Sequence, residues 1–179
     1  MEKNLLICFL VLWISTINCK KPFDEKLVKG DVFNINFQEY SNQDIENIFF
    51  ILKSLFKLIQ KKDLTPIMDF IAQEKGIYID LKAHKTKEEV MKDLENKNSY
   101  LNLIYLDSKK LKEHTKDESQ ISLYELIDIY STIKADFFII TPEDCEVKLT
   151  ILENPSESYR FNNPYFIKIN NHWYIYRLF

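Results

Sequence analysis

The sequence contains little glycine, arginine and cysteine, and each shortage excludes a class of protein. Only two glycines occur among 179 residues, so a glycine-rich phosphate-binding loop or a collagen-like repeat cannot form. Arginine occurs only as Arg160 and Arg177, and the net charge is −3. Because nucleic-acid binding depends on clustered positive charge, this composition argues against a nucleic-acid partner. Hydrophobic residues still make up 46% of the chain, which is typical of one folded domain.

The first residues have the pattern of an export signal. Lys3 and the amino terminus supply a positive end, and Leu5–Ile14 is an uncharged apolar run of ten residues that stops shortly before Cys19. A membrane-spanning helix needs about 20 such residues, whereas a run of this length is typical of the core of a signal peptide.

The residues around Cys19 resemble the cleavage site of a bacterial lipoprotein, in which the signal is removed before a cysteine that carries lipid. Ile17 and Asn18 stand where most lipoproteins have small residues, and the asparagine is similar to the relaxed site of spirochaete lipoproteins. The resemblance implies that residues 1–18 are removed and that acyl chains such as palmitate anchor Cys19. The protein is then held in the cell envelope, at the outer membrane or at the periplasmic face of the inner membrane. An ordinary secretory signal with an incidental cysteine is the alternative.

The cysteine content agrees with this interpretation. Cys8 is removed with the signal and Cys19 carries lipid, so Cys145 is the single remaining thiol. A disulfide within the domain is therefore excluded. A domain of about 150 residues buries enough surface to be held together by its core alone.

Residues 19–42 are predicted to be the lipidated cysteine, a tether and an extended arm. Lys20–Gly30 is mostly charged, which is typical of a solvated linker, and eleven extended residues reach at most ~40 Å. Phe33, Ile35 and Phe37 alternate with polar residues, which predicts a short edge strand or a clamped arm.

Residues 43–179 are predicted to form a single α+β domain, with helices first and strands last. Apolar residues recur at spacings of three and four over Ile45–Ile59, which predicts a long amphipathic helix that begins near Ser41–Asp44. Thr65-Pro66 and Thr86–Glu89 are start signals for two further helices.

The pattern between the third helix and the strands is mixed. Ser99–Leu111 is predicted to be helical, and Ser122 precedes another helix. Asp107–Glu118 holds eight Asp, Glu or Lys residues in twelve, which predicts an exposed loop.

The last part of the chain is rich in β-forming residues. Asn170-Asn171 predicts a tight hairpin turn, since asparagine tolerates positive φ. We expect N-terminal helices packed on a curved antiparallel sheet of about four strands. The predicted strands are 136–140, 146–153, 165–170 and 172–179.

This order of elements resembles the nuclear-transport-factor-two-like, or cystatin-like, α+β cone superfamily. The resemblance lies in the turn Lys61–Asp63 after the long helix, the segment Glu74–Ile79 and the closing hairpin Phe166–Tyr176. Over roughly residues 43–179 it implies a curved sheet wrapped on helices around a conical pocket. Some members bind small hydrophobic ligands there, a few catalyse isomerisation or dehydration, and many only bind or scaffold.

Five residues are candidates for lining such a pocket. They are Tyr78, Tyr100, Tyr130, Trp173 and Arg177. Arg177 has the same two-residue phase as Trp173 and Ile175, so on a concave face it would bind an anion or a buried acid. An ion pair at the sheet edge is the preferred interpretation.

No residue is assigned to catalysis or to a cofactor. His84, His114 and His172 are 30 and 58 residues apart, which does not match the ligand spacing of a zinc site. Acidic neighbours raise the pKa expected for the Cys145 thiol, which predicts a structural, inert cysteine. An acid–base pair would combine one of several carboxylates with one of several tyrosines. The alternative is that the carboxylates are helix caps and turn residues and that the tyrosines lie in the core or at its rim. These carboxylates and tyrosines are Asp80, Asp107, Asp136, Tyr78, Tyr100, Tyr105 and Tyr130.

Three functions remain open at this level. The domain binds a small apolar ligand or a protein partner while anchored to a membrane, or it is a surface interaction module without a ligand pocket. The third is a cone-fold enzyme that uses an Asp/Tyr pair.

The lipid anchor gives a direct prediction. In bacteria fed a fatty-acid analogue, the wild-type protein should incorporate label and Cys19→Ser should not, because the acylated sulfur is lost. Fluorescence of the immunoprecipitated protein measures this. Equal labelling of both proteins would contradict the anchor.

Overall fold

The longest helix among the residues that the structure describes, α2, runs from Asn42 to Lys61 and organises an α+β fold. The computed structural model describes residues 20–37, 39–79 and 83–178. The predicted signal, Cys19 and Asp80 lie outside the described residues. The other α-helices are α1 (Phe23–Lys26), α3 (Lys87–Glu95), α4 (Tyr100–Leu106), α5 (Ser108–Thr115) and α6 (Leu123–Ile129), and 3₁₀ helices span Thr65–Phe70 and Pro155–Arg160. The strands are β1 (Leu27–Asn34), β2 (Ile77–Tyr78), β3 (His84–Lys85), β4 (Ile133–Thr141), β5 (Asp144–Ile151), β6 (Tyr165–Ile169) and β7 (His172–Arg177).

Helix α2 begins and ends where its sequence predicts. The Ser41 side chain accepts a hydrogen bond from the Asp44 N–H, and the Asp44 carboxylate accepts one from the Ser41 N–H, which forms a capping box. Lys62 ends the helix in the left-handed conformation. The apolar stripe is buried as expected, whereas Phe50 is 64% exposed.

The sheet is larger than the predicted four strands. Seven strands join in the order β1-β4-β5-β6-β7-β2-β3. Strands β4 to β7 form the predicted antiparallel set, and positive φ at Asn170 and Asn171 confirms the tight turn between β6 and β7. The extra strands add at both edges, where β1 pairs in parallel with β4 and β2 pairs in parallel with β7.

The tether predicted over Lys20–Gly30 is wrong for most of its length. Phe23 and Leu27 are buried in the core, and β1 extends the sheet. The Lys26 ammonium donates hydrogen bonds to the backbone oxygens of Ile127 (2.8 Å) and Asp128 (3.0 Å) at the C-terminal end of α6, where a positive charge is favourable. Charged composition suggested a solvated linker, but these contacts bring the segment into the fold.

The charged segment that was predicted to be a loop contains helix α5. The Asp107 carboxylate accepts a hydrogen bond from the Lys110 N–H (3.0 Å) and caps the helix, and Lys116 ends it in the left-handed conformation. Leu111 is the only fully buried residue of α5 among those described. One apolar anchor gives too weak a periodic signal to be recognised in the sequence.

The inner face of the sheet packs on α2 and is filled by side chains. The Phe137 ring of β4 meets the Phe49 ring of α2 edge-on, at 6.2 Å between centroids. In β4 and β5 every inward side chain is at most 2% exposed. These residues are Ile133, Ala135, Phe137, Ile139, Cys145, Val147, Leu149 and Ile151.

A buried carboxylate connects the start of α2 to the closing hairpin. Asp44 is 7% exposed, and its Oδ1 accepts hydrogen bonds from the Trp173 Nε1 and the Lys168 Nζ, both at 2.8 Å. Its Oδ2 accepts one from the Ser41 hydroxyl at 2.9 Å. Burial by itself raises the pKa of Asp44, but the hydrogen bonds from Lys168, Trp173 and Ser41 outweigh burial and lower the pKa to about 2.

This network predicts that Asp44→Asn lowers the free energy of unfolding by about 2 kcal/mol near neutral pH. Because the folded pKa of Asp44 lies below the unfolded value, its contribution is complete above about pH 4 and is lost as the pH falls towards 2. Urea titrations between these limits should therefore show a flatter pH dependence in Asp44→Asn than in the wild type.

Asp69→Asn is the matched control, because Asp69 is an exposed carboxylate in the first 3₁₀ helix. It should change the free energy of unfolding by no more than about 0.5 kcal/mol. Equal effects of the two substitutions would show that the buried carboxylate is not a stabilising contact.

Candidate functional site

The face of the sheet turned away from α2 carries a groove, which we call the outer-face groove. Side chains alternate along the strands, so the residues between the buried ones point to this face. One depression has a volume of about 470 Å³, and an adjoining one of about 460 Å³ shares three of its lining residues. The first is lined by Tyr78, Asp144, Tyr165, Ile167, Tyr176 and Arg177.

Three tyrosines form the wall of the groove. The Tyr78 and Tyr176 rings meet edge-on at 5.4 Å, and the Tyr165 ring lies 6.5 Å from that of Tyr176. Burial, followed by the charges of Asp144 and Glu146, raises the pKa of Tyr165, and burial next to Tyr78 raises that of Tyr176. Both phenols therefore keep their protons at neutral pH and present hydroxyl groups to a bound molecule.

Arg177 lies in this groove and not on the inner face. Its Nε donates a hydrogen bond to the Asn163 backbone oxygen (2.9 Å), and its Nη2 lies 3.5 Å from the Glu146 carboxylate. Its guanidinium carbon is 5.5 Å from the Tyr165 ring centroid. A register shift between β6 and β7 interrupts the alternation that Arg177 was expected to share with Trp173.

Of the five predicted pocket residues, the structure brings together Tyr78 and Arg177, which are register partners between β2 and β7. Trp173 is on the inner face and bonds to Asp44. Tyr100 is 43% exposed on α4, with its ring 6.2 Å from that of His114. Tyr130 directly follows α6 and is partly buried against the hydrophobic core.

The adjoining depression continues the groove towards the hairpin turns. It adds both charges and apolar surface to the tyrosine wall. Its own lining residues are Lys75, Glu143, Lys168, Ile169 and Asn170. The sequence analysis did not identify Tyr165, Tyr176 or Asp144, since their shared location depends on strand pairing that local patterns do not reveal.

A separate pocket of about 690 Å³ lies among the helices. Its wall combines three lysines and three acids with leucine and tyrosine side chains. The residues that line it are Lys62, Asp63, Leu64, Thr65, Leu94, Lys97, Asn102, Leu106, Asp107, Ser108, Lys110, Ser122, Tyr124 and Glu125. Asp63 and Asp107 accept hydrogen bonds from nearby backbone N–H groups, so their charges are used locally.

The carboxylates considered for acid–base chemistry have structural contacts. Asp107 caps α5. Asp136 accepts a hydrogen bond from the Asp31 N–H (2.8 Å) and pairs with the Lys134 ammonium (3.0 Å). Tyr105 is 1% exposed within the core. Among the residues that the structure describes, no three His, Cys, Asp or Glu side chains are arranged to hold a metal ion.

Comparisons with known proteins give no family for this chain. No protein-family model matches it, and no curated protein or solved structure matches it either. Within residues 20–37, 39–79 and 83–178, no helix has the length and apolar character needed to cross a membrane.

Cys145 is fully buried on the inner face of β5, and burial raises the pKa of its thiol to about 12. The structure thus adds burial to the acidic neighbours that predicted an inert thiol. At about pH 8 a soluble thiol reagent should label Cys145 in urea and leave it unlabelled in the native protein, as measured by peptide mass spectrometry. Rapid labelling of the native protein would contradict this assignment.

Proposed function

We propose that the protein is a lipid-anchored component of the bacterial cell envelope that binds a protein partner through the outer-face groove. Lipid on Cys19 supplies the membrane attachment, and the groove supplies the binding surface. The proposal needs no cofactor, catalytic residue or nucleic-acid partner.

The observation that carries the proposal is the contrast between the two faces of the sheet. The inward side chains of β4 and β5 are at most 2% exposed and belong to one hydrophobic core. A small apolar ligand would have to displace these residues to enter between the sheet and α2. The outer face instead offers two adjoining depressions that share Asp144, Ile167 and Tyr176.

The chemistry of the groove favours a polypeptide. Tyrosine and arginine are enriched at protein interfaces because they combine a large contact area with hydrogen-bonding groups. Tyr165, Tyr176 and Arg177 provide this combination in one place. Acidic and basic side chains on the same wall suit the alternating donors and acceptors of a peptide better than an apolar small molecule.

We also propose that the domain has the cone type of α+β architecture. What supports this is the element order from Asn42 onwards: a long helix, a 3₁₀ helix, two short strands, four further helices and four terminal antiparallel strands. Because side chains fill the space between the sheet and α2, the proposed role is the binding of a partner and not catalysis inside the cone.

The pocket among the helices favours a second candidate function, the binding of a small ligand. Its volume of about 690 Å³ lies within the range of small-molecule sites. Native mass spectrometry of protein purified from its own envelope would detect such a ligand as a discrete added mass. Loss of that mass on Leu106→Trp, which fills the pocket, would assign it to this site.

Photo-crosslinking tests the groove. A photoreactive phenylalanine analogue at Ile167, inside the groove, should give one crosslinked product of discrete mass in intact cells. The same analogue at Tyr159, which is 70% exposed elsewhere on the surface, is the position control and should give none. Tyr165→Ser should reduce the Ile167 product several-fold, since it removes a ring from the binding surface.

Tyr159→Ser is the matched substitution and should leave the Ile167 product unchanged. Circular dichroism of both serine variants checks that the fold is intact. Equal products from Ile167 and Tyr159, or an Ile167 product indifferent to Tyr165→Ser, would contradict binding in the groove.

A further inference from the structure

The described chain starts at the end of the domain where α1 packs against α2, α6 and β1. Lys57, near the C-terminal end of α2, pairs with Asp24 at 3.2 Å. The C-terminal end of α6 receives Lys26, as described above. Leu27 is the register partner of Ile133 at the start of β4, and Ile133 is in turn the partner of Ile151 at the end of β5.

Very little chain separates this end from Cys19. Only Lys20, Lys21 and Pro22 lie between Cys19 and Phe23, the first residue of α1. A link of this length spans at most about 14 Å when it is fully extended. The link is also held, because Lys20 pairs with Asp128 at 2.5 Å and the Pro22 carbonyl accepts hydrogen bonds from the first turn of α1. A lipid on Cys19 therefore leaves the domain almost no freedom to move away from the bilayer.

The surface around the chain start carries two exposed apolar side chains. Ile129 is 59% exposed next to Asp128, and Leu152 is 46% exposed between Ile151 and Glu153. The Lys20 ammonium reaches Asp128 beside Ile129, and lysine can keep its ammonium at headgroup level while its stem lies on apolar surface. We define the anchor-side face as Lys20, Lys21, Lys57, Lys61, Ile129 and Leu152.

Resting on the lipid anchor proposed above, we propose that the anchor-side face lies directly against the bilayer that holds the acyl chains. Ile129 and Leu152 then contact the headgroup region, and the short link fixes the domain's orientation. The end of the groove beside Lys168 lies near the opposite end of α2, through the Lys168–Asp44 contact. Helix α2 is about 30 Å long, so that part of the groove faces away from the membrane.

Lysine footprinting on vesicles tests this orientation. The full chain is expressed with its own signal in bacteria, extracted from membranes and reconstituted into vesicles of phosphatidylglycerol and phosphatidylcholine. Acetylation rates are then read for each lysine by mass spectrometry. Lys57 and Lys61 should react several-fold more slowly than the exposed Lys75, which lines the end of the groove beside Lys168.

A variant with a long glycine-serine linker inserted between Lys21 and Pro22 is the control. It should remain on the vesicles and regain fast acetylation of Lys57 and Lys61, because the longer link releases the domain. Retained protection in this variant would overturn the role of the short link, and equal rates at Lys57, Lys61 and Lys75 in the wild type would overturn the orientation. Failure of the wild type to stay with the vesicles would overturn the anchor and the orientation together.

Discussion

The buried Asp44 carboxylate is the contact on which the arrangement of helix and sheet depends. It caps α2 through Ser41 and at the same time binds Trp173 and Lys168 of the closing hairpin, 129 residues away in the case of Trp173. Removing a carboxylate from water costs free energy, which the surrounding donors must offset. These donors come from the residue before α2 and from the closing hairpin, so the Asp44 carboxylate fixes where the hairpin meets the helix. The side chains of the inner face fill the space between the hairpin and the helix.

Because side chains fill the space between the sheet and α2, the candidate binding surface lies on the other face of the sheet. The groove there is built from strands β2, β5, β6 and β7, so its shape depends on the edge pairing of β2 with β7. Tyr78 comes from β2, whereas Tyr165 and Tyr176 come from the terminal hairpin. A shift of the two-residue strand β2 would move one wall of the groove relative to the other without disturbing the core.

Local signals predicted much of the fold, and non-local pairing accounts for most of what they missed. The capping boxes at Ser41 and Thr86 and the turn at Asn170-Asn171 depend on residues close in sequence, and the structure confirms them. The short edge strand predicted around Phe33 overlaps the end of β1, but the start of β1 at Leu27 and its parallel pairing could not be predicted, since its partner β4 lies far along the chain. Arg177 does not share the face of Trp173, because a register shift that leaves no mark in the sequence interrupts the alternation, and its guanidinium lies beside Glu146. Tyr78 and Arg177 of the predicted pocket meet, whereas Trp173 is on the inner face and Tyr100 and Tyr130 lie at helices.

The parallel pairing of β1 with β4 also constrains how the chain folds. Leu27 and its partner Ile133 are 106 positions apart, which makes this one of the contacts with the greatest loop-closure cost. During synthesis β1 has no partner until β4 has emerged. Until then its unpaired backbone groups are open to pairing with other chains. A bulge between Lys29 and Val32 interrupts the regular backbone pattern of β1, and charged side chains lie beside it. Both features disfavour pairing with another chain and so reduce the tendency of the nascent protein to aggregate.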